Sequence, residues 1–256
     1  MNTAKTSLPV LRWGQGSPAL VFLHYFGGAA ISWKWVAEAI APEVCCIALD
    51  LPGFGSAPPL QSPSLRAYAD YVISILQEQD IDQFVLVGHS MGGKIALQIA
   101  ADQPDGLQQV VLIAPSPPTQ EPMPDDERQR MLCNHPSRDN AATTIHQASQ
   151  TSLPEQQQSV GIQTHITADD SAWRWWLLEC MNHSIADQMT QVKVSLTVVT
   201  SEDDPVIPIE AINQEVMAYI PAAQLLQTSG VGHLMPLECP EWIAEVLIDI
   251  VRQGKG

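Results

Sequence analysis

The sequence predicts an α/β fold: a mostly parallel central sheet with helices on both faces. Three observations carry that expectation. Short runs rich in Val, Ile and Leu alternate with longer stretches of helical spacing through the first 115 residues, and the same rhythm resumes near residue 193. The apolar runs are continuous, as in strands covered on both faces. With 256 residues, 45% of them hydrophobic, the chain can bury a large core without disulfides.

Taken in order, strands are expected at Ala19–His24, Val44–Leu49, Gln83–Val87 and Gln109–Ala114, with helices at Ser32–Ile40, Ser64–Gln79 and Met91–Asp102 between them. In the second helix Leu65, Tyr68, Val72, Ile75 and Leu76 fall on one face, which would lie on the sheet. Ahead of the first strand, Gly14-Gln15-Gly16-Ser17-Pro18-Ala19 superficially resembles a dinucleotide fingerprint. It precedes a strand and is interrupted by Pro18, so it reads as a hairpin turn.

From Ser116 to Val192 the composition shifts to Pro, Gln, Thr and charged residues, opening with the Pro-rich stretch Ser116–Pro124. This predicts a helical insertion over 116–192. Strands at Val194–Thr200 and Gln224–Gln227 and helices near Ile209–Tyr219 and Pro240–Arg252 then complete one core domain, formed by 1–115 and 193–256.

Composition excludes more than it identifies. A net charge of −16 with only 12 Lys and Arg argues against nucleic acid, whose phosphates need clustered cations, and against an anionic membrane surface. The five cysteines, Cys45, Cys46, Cys133, Cys180 and Cys239, are odd in number and lack metal-ligand spacing. With no basic-then-apolar leader among residues 1–9, they point to a reducing, cytoplasmic location. No cofactor or metal set is expected; the partner is a small molecule, and a homodimer is compatible with the sequence.

The segment Val85-Leu86-Val87-Gly88-His89-Ser90-Met91-Gly92-Gly93 holds G-x-S-x-G between an apolar strand and a helix-forming stretch. That context is the strand-turn-helix of a nucleophile elbow. Glycines flank the serine because backbone must pass close by. Ser90 would stand at a helix start, where free N–H groups favour a developing anion, so the Met91 N–H is a candidate oxyanion donor. The same residues match a phosphate-binding loop through Lys94, but Ile95 stands where a Ser or Thr must hold magnesium.

A serine hydroxyl needs a histidine to take its proton and a carboxylate to orient that histidine. Glu202, Asp203 and Asp204 lie just past a late strand, and His233 sits downstream in the loop Ser229-Gly230-Val231-Gly232-His233.

Here the chain resembles the α/β-hydrolase family. The resemblance spans Leu23-His24-Tyr25-Phe26-Gly27-Gly28, Asp50-Leu51-Pro52-Gly53-Phe54-Gly55-Ser56, the Ser90 elbow, the acid turn and the His233 loop, in family order. It implies Ser90 as nucleophile and His233 as base. It implies Asp204 as the orienting acid, because Ser201, Asp204 and Pro208 align with the family's G-x-x-D-x-x-x-P. It further implies Phe26 as a second oxyanion N–H, with Tyr25 replacing the family's glycine and free to line the site.

By the same resemblance the insertion is a cap over the active site. Tyr25, His89, Trp173 and Trp176 become candidate pocket residues, although Trp173, Trp175 and Trp176 read equally as the insertion's own core. His135, His146, His165 and His183 are expected to be structural or surface residues. A serine at the elbow favours acyl transfer from an apolar or aromatic ester to water. Carbon–carbon bond hydrolysis, lyase chemistry and a non-catalytic binding protein on the same scaffold are the alternatives.

Overall fold

The computed structural model describes residues 9–253. Seven strands form one sheet in the order β1-β3-β2-β4-β5-β6-β7. They are β1 (Val10–Trp13), β2 (Ala19–Leu23), β3 (Cys46–Leu49), β4 (Phe84–His89), β5 (Leu107–Ile113), β6 (Ser195–Ser201) and β7 (Gln224–Thr228). All pairings are parallel except β1 with β3. Every residue of β2, β3 and β4 is buried, which is why these strands read as unbroken apolar runs.

Alternate residues of each strand enter opposite cores. Val21, Leu23, Leu49 and Leu86 belong to one core. It is covered by α2 (Leu65–Glu78) and α3 (Met91–Asp102). Leu20, Phe22, Cys46, Val85, Val87 and Val111 pack on the other face. There they meet α1 (Lys34–Ile40) and α10 (Pro240–Gln253). The period of two along a strand thus separates the layers. Helix α2 starts where its sequence signals it, with the Ser64 hydroxyl accepting the Ala67 N–H at 3.1 Å.

Two elements differ from expectation. β1 was not predicted: it is a four-residue edge strand with its middle residues exposed, so it lacks the apolar continuity that marks the interior strands. In consequence, the turn at Gly14 and Gly16 (φ +64° and +120°) makes no hairpin. It carries the chain past β3, because β1 pairs with β3 and not with β2. The expected helix at Ile209–Tyr219 forms as one short turn, α8 (Ile209–Ala211), continued by wider π-type turns over Ile212–Met217.

Between β5 and β6 lie four helices, α4 (Asp125–Cys133), α5 (Arg138–Ala148), α6 (Glu155–Thr167) and α7 (Asp170–Leu178). α7 carries Trp173, Trp175 and Trp176 into the sheet's own core. The Trp175 ring stacks on Tyr68 of α2, with centroids 4.6 Å apart and planes 8° off parallel. Lys94 of α3 is fully buried and gives its ammonium to the carbonyls of Thr119 (2.8 Å), His183 (2.7 Å) and Cys180 (3.4 Å), tying both ends of the helical segment to the sheet. Truncating Trp175 removes one of these joints. Trp175→Ala is expected to cost about 3–5 kcal/mol, read as a fall in the urea midpoint.

Candidate active site

The chain exits at the carboxyl ends of β2, β3, β4, β5, β6 and β7 bring the motif residues to one edge of the sheet, where α/β proteins gather ligands. Ser90 follows β4 directly and caps α3. Its backbone is at φ +52°, ψ −115°, a conformation that costs an L-residue energy. Backbone hydrogen bonds hold it there. The Ser90 N–H donates to Ile113 O, and Ser90 O accepts the N–H groups of Gly93 and Ser116, at 3.0, 2.8 and 3.0 Å.

Packing explains the glycines. A Cβ on Gly88 would sit 2.4 Å from Gly92 O, one on Gly92 2.5 Å from Leu23 O, and one on Gly93 2.7 Å from the Pro115 side chain. The first two meet backbone, which cannot swing aside.

His233 Nε2 lies 2.9 Å from Ser90 Oγ, and His233 Nδ1 lies 2.8 Å from Asp204 Oδ2. The other Asp204 oxygen accepts the N–H groups of Val206 and Ile207 at 2.7 and 2.9 Å, so the carboxylate is oriented by backbone. Asp203, one residue earlier, is exposed and accepts the Gly230 N–H at 2.6 Å; it braces the histidine loop from outside. The neighbouring carboxylates are thereby told apart by geometry: Asp204 alone reaches His233.

The His233 loop is held from several sides. Its own N–H donates to Ala148 O at 2.8 Å, and His89 Nε2–H donates to His233 O at 2.8 Å. Glu238 of α9 (Met235–Glu238) accepts Gly232 N–H at 3.0 Å, and also the N–H groups of Gln150 and Thr151. Burial would lower the His233 pKa. The charge and hydrogen bond of Asp204, with Glu121 and Glu238 beyond, outweigh it and leave it above the usual 6.5.

On the opposite wall, Tyr25 is not in the left-handed region; the turn Tyr25–Gly28 places that conformation at Gly27 (φ +82°). A tyrosine therefore replaces the family's glycine without backbone strain. His24 fixes this loop, with Nδ1–H donating to Tyr25 O at 2.8 Å and Nε2 accepting Leu51 N–H at 3.1 Å. Burial lowers its pKa to about 4, keeping it neutral as those two bonds require. Asp50 joins the same scaffold by accepting the N–H groups of Ala30 and Ser56, each at 2.8 Å.

A cavity of about 330 Å³ opens onto Ser90 and His233. Tyr25, Phe26, Met131, Ile145, Trp176 and Leu234 supply much of its apolar wall. Two pocket candidates are corrected. Trp173 lies behind that wall, its ring 4.2 Å from Phe26 and its indole N–H given to Met131 O at 3.1 Å. His89 is buried against the backbone of His233 and also does not line the cavity. Glu121 and His165 do line it. Neither was anticipated, because Glu121 sits in an aperiodic Pro-rich stretch and His165 is one of four histidines without a spacing signal.

Lys94 is not available to a phosphate, since its ammonium is already bonded to three carbonyls. Among the described residues, no helix is long and apolar enough to cross a membrane.

A parallel sheet whose strand ends present a serine elbow, a histidine and an aspartate in hydrogen-bonded sequence defines a class of α/β-fold hydrolases. The sequence model of the alpha/beta hydrolase family matches residues 20–246, and the chain belongs to that family. It is 28% identical to the uncharacterized hydrolase YugF of Bacillus subtilis, over 93% of this chain and 91% of that one. A pimeloyl-[acyl-carrier protein] methyl ester esterase of Aeromonas salmonicida is 37% identical over 43% of this chain and 42% of its own. With several other curated relatives the match spans only 28% to 45% of the relative's length. An esterase from Exiguobacterium antarcticum has the same fold at a TM-score of 0.85, with 18% identity over 95% of this chain and 94% of that one.

The elbow's close approaches make a direct test. Gly92→Ala pushes a methyl group against Leu23 O, and should cost roughly 1–3 kcal/mol in urea unfolding while displacing Ser90 from His233.

Proposed function

We propose that the protein is a serine hydrolase of carboxylic esters, with Ser90 as nucleophile, His233 as base and Asp204 as the group that orients the base. The observation that carries this reading is the continuous line from Ser90 Oγ through His233 to Asp204, with steps of 2.9 and 2.8 Å, opening on the apolar cavity. A hydroxyl is a weak nucleophile until its proton has somewhere to go, and this line supplies the acceptor and its counter-charge.

His233 Nε2 takes the Ser90 proton as Oγ attacks the ester carbonyl. The backbone N–H groups of Phe26 and Met91 receive the oxyanion; as the first residue of α3, Met91 has no acceptor for its N–H within the helix. The imidazolium, stabilised by Asp204, returns the proton to the departing alcohol. Water activated by His233 then attacks the acyl-enzyme, and the same proton path releases the acid and restores Ser90. In this reading α4–α7 form a cap, and Phe26, Trp176 and Met131 favour an apolar or aromatic substrate. The similarity to the Aeromonas methyl ester esterase supports the ester assignment.

Ser90→Ala should keep the fold and lose both p-nitrophenyl ester turnover and labelling by a fluorophosphonate; wild-type rates in that variant would refute the assignment. Asp204→Asn is expected to lower kcat by about 10⁴-fold, as loss of the correct tautomer does in serine hydrolases, whereas Asp203→Asn retains most of the rate. A pH profile gives an independent check. His233 must be neutral to act, and its pKa is raised, so kcat/KM should fall as pH drops through a midpoint above 6.5. An acid limb centred at or below 6.5 would contradict this.

A further inference from the structure

Glu121 is a carboxyl group at the active site that the ester mechanism does not use. It lies in the loop between β5 and α4, is 9% exposed, and lines the same cavity as Ser90 and His233. Its N–H donates to Met181 O at 2.8 Å, anchoring the residue to the far end of the helical segment. Its Oε2 has no hydrogen-bond partner among the described residues.

The nearby cations do not neutralise it directly. Lys94 has its ammonium bonded to the carbonyls of Thr119, Cys180 and His183. Arg130 stands behind the wall, where it binds Glu127, Asn140 and Thr144. Among the described residues no Lys or Arg lines the cavity, whereas Glu121 and Glu127 both do. Burial pushes the Glu121 pKa up, against the opposing pull of the Ser116 hydroxyl and the Lys94 charge.

A second polar group accompanies it. His165 of α6 is 2% exposed, lines the cavity, and has neither ring nitrogen bonded among the described residues. Burial, with His135 and Arg130 nearby, lowers its pKa to about 3, so it is neutral and offers one donor and one acceptor. With the Tyr25 hydroxyl, three side chains that line a mostly apolar cavity carry unpartnered polar atoms, which is costly unless a ligand pairs with them.

We propose that Glu121 sets the substrate class: the site selects molecules carrying a hydrogen-bond donor, an amino or hydroxyl group, and turns away those carrying a carboxylate. This rests on the ester reading for what happens at Ser90, but not for what binds. An ammonium or hydroxyl in the cavity gives its hydrogen to the Glu121 carboxyl group that lines it. A carboxylate would bring a second carboxyl group into a cavity whose wall, among the described residues, holds no cation to receive it, and could meet Glu121 only by sharing a proton.

The test is a titration that needs no turnover. The ligands 4-methylbenzylamine, 4-methylbenzyl alcohol and 4-methylbenzoate are matched in size and cannot be hydrolysed. Each is added to wild-type protein and to Glu121→Gln and Glu127→Gln variants, and tryptophan fluorescence is followed because Trp176 lines the cavity. Protection of Ser90 from fluorophosphonate labelling checks that the ligand occupies this site.

In the wild type the amine and the alcohol should bind roughly ten- to hundredfold more tightly than the carboxylate. Glu121→Gln should bring the three affinities close together, whereas Glu127→Gln, whose carboxylate Arg130 already neutralises, should keep the preference. Equal affinities in the wild type would overturn the proposal, and that result needs no variant to fold. So would an unchanged preference in Glu121→Gln, or an equal loss in Glu127→Gln. Absence of ester turnover alongside an intact preference would remove the ester reading and leave this one standing.

Discussion

The arrangement depends on one steric constraint: three glycines let neighbouring chain pack against bare backbone where β4 turns into α3. Gly88, Gly92 and Gly93 have no room for a Cβ against Gly92 O, Leu23 O and Pro115. That closeness lets the chain reverse within a residue and holds Ser90 at a positive φ. The strain is borne by the buried sheet, since the Ser90 backbone is bonded to Ile113 and Ser116 at the end of β5. The neighbouring strands thus position the serine, and the helix start beneath it follows from the same turn.

The histidine side of the site is assembled differently, from a flexible sequence made rigid by carboxylates. The loop around Gly230 and Gly232 has no regular structure, yet Asp203 takes the Gly230 N–H and Glu238 takes the Gly232 N–H. Ser201 Oγ reaches Val231 O at 2.5 Å, and Ala148 O accepts from His233 itself. These bonds bind β6, α9 and the end of α5 to a single loop. Asp204 is then left to interact with the imidazole alone, its second oxygen being held by Val206 and Ile207. Side by side, Asp203 and Asp204 divide the work: one holds the loop and the other faces the ring.

Much of this was legible in sequence, for a physical reason. Interior strands, the amphipathic face of α2 and the elbow glycines are determined by neighbours close in the chain or by burial on both sides, and each leaves a local pattern. β1 was missed because an edge strand with exposed middle residues carries no such pattern. Trp173 and His89 were misplaced as pocket residues because residue type states what a side chain can do, but not which side of a wall it stands on. Glu121 and Lys94 were opaque for a related reason. Lys94 looked like a phosphate-loop lysine, and its actual partners, Thr119, Cys180 and His183, lie 25 to 89 residues away.

Those long-range contacts couple the helical segment to the serine. Lys94 is one helical turn beyond Ser90, and by holding Thr119 and His183 it places both Glu121 and the far end of the segment over the elbow. On the other wall, a Cβ at Gly27 would sit 2.7 Å from His165 Nδ1, so the backbone that carries the Phe26 N–H is packed directly against α6. Phe26 in turn lies 4.2 Å from Trp173 of α7. The helices that shape the cavity therefore also support the loop that the proposed mechanism offers to the oxyanion. A change in the helical segment that altered which ligand fits would shift the position of that N–H as well, so in the proposed mechanism selectivity and rate are coupled at this wall.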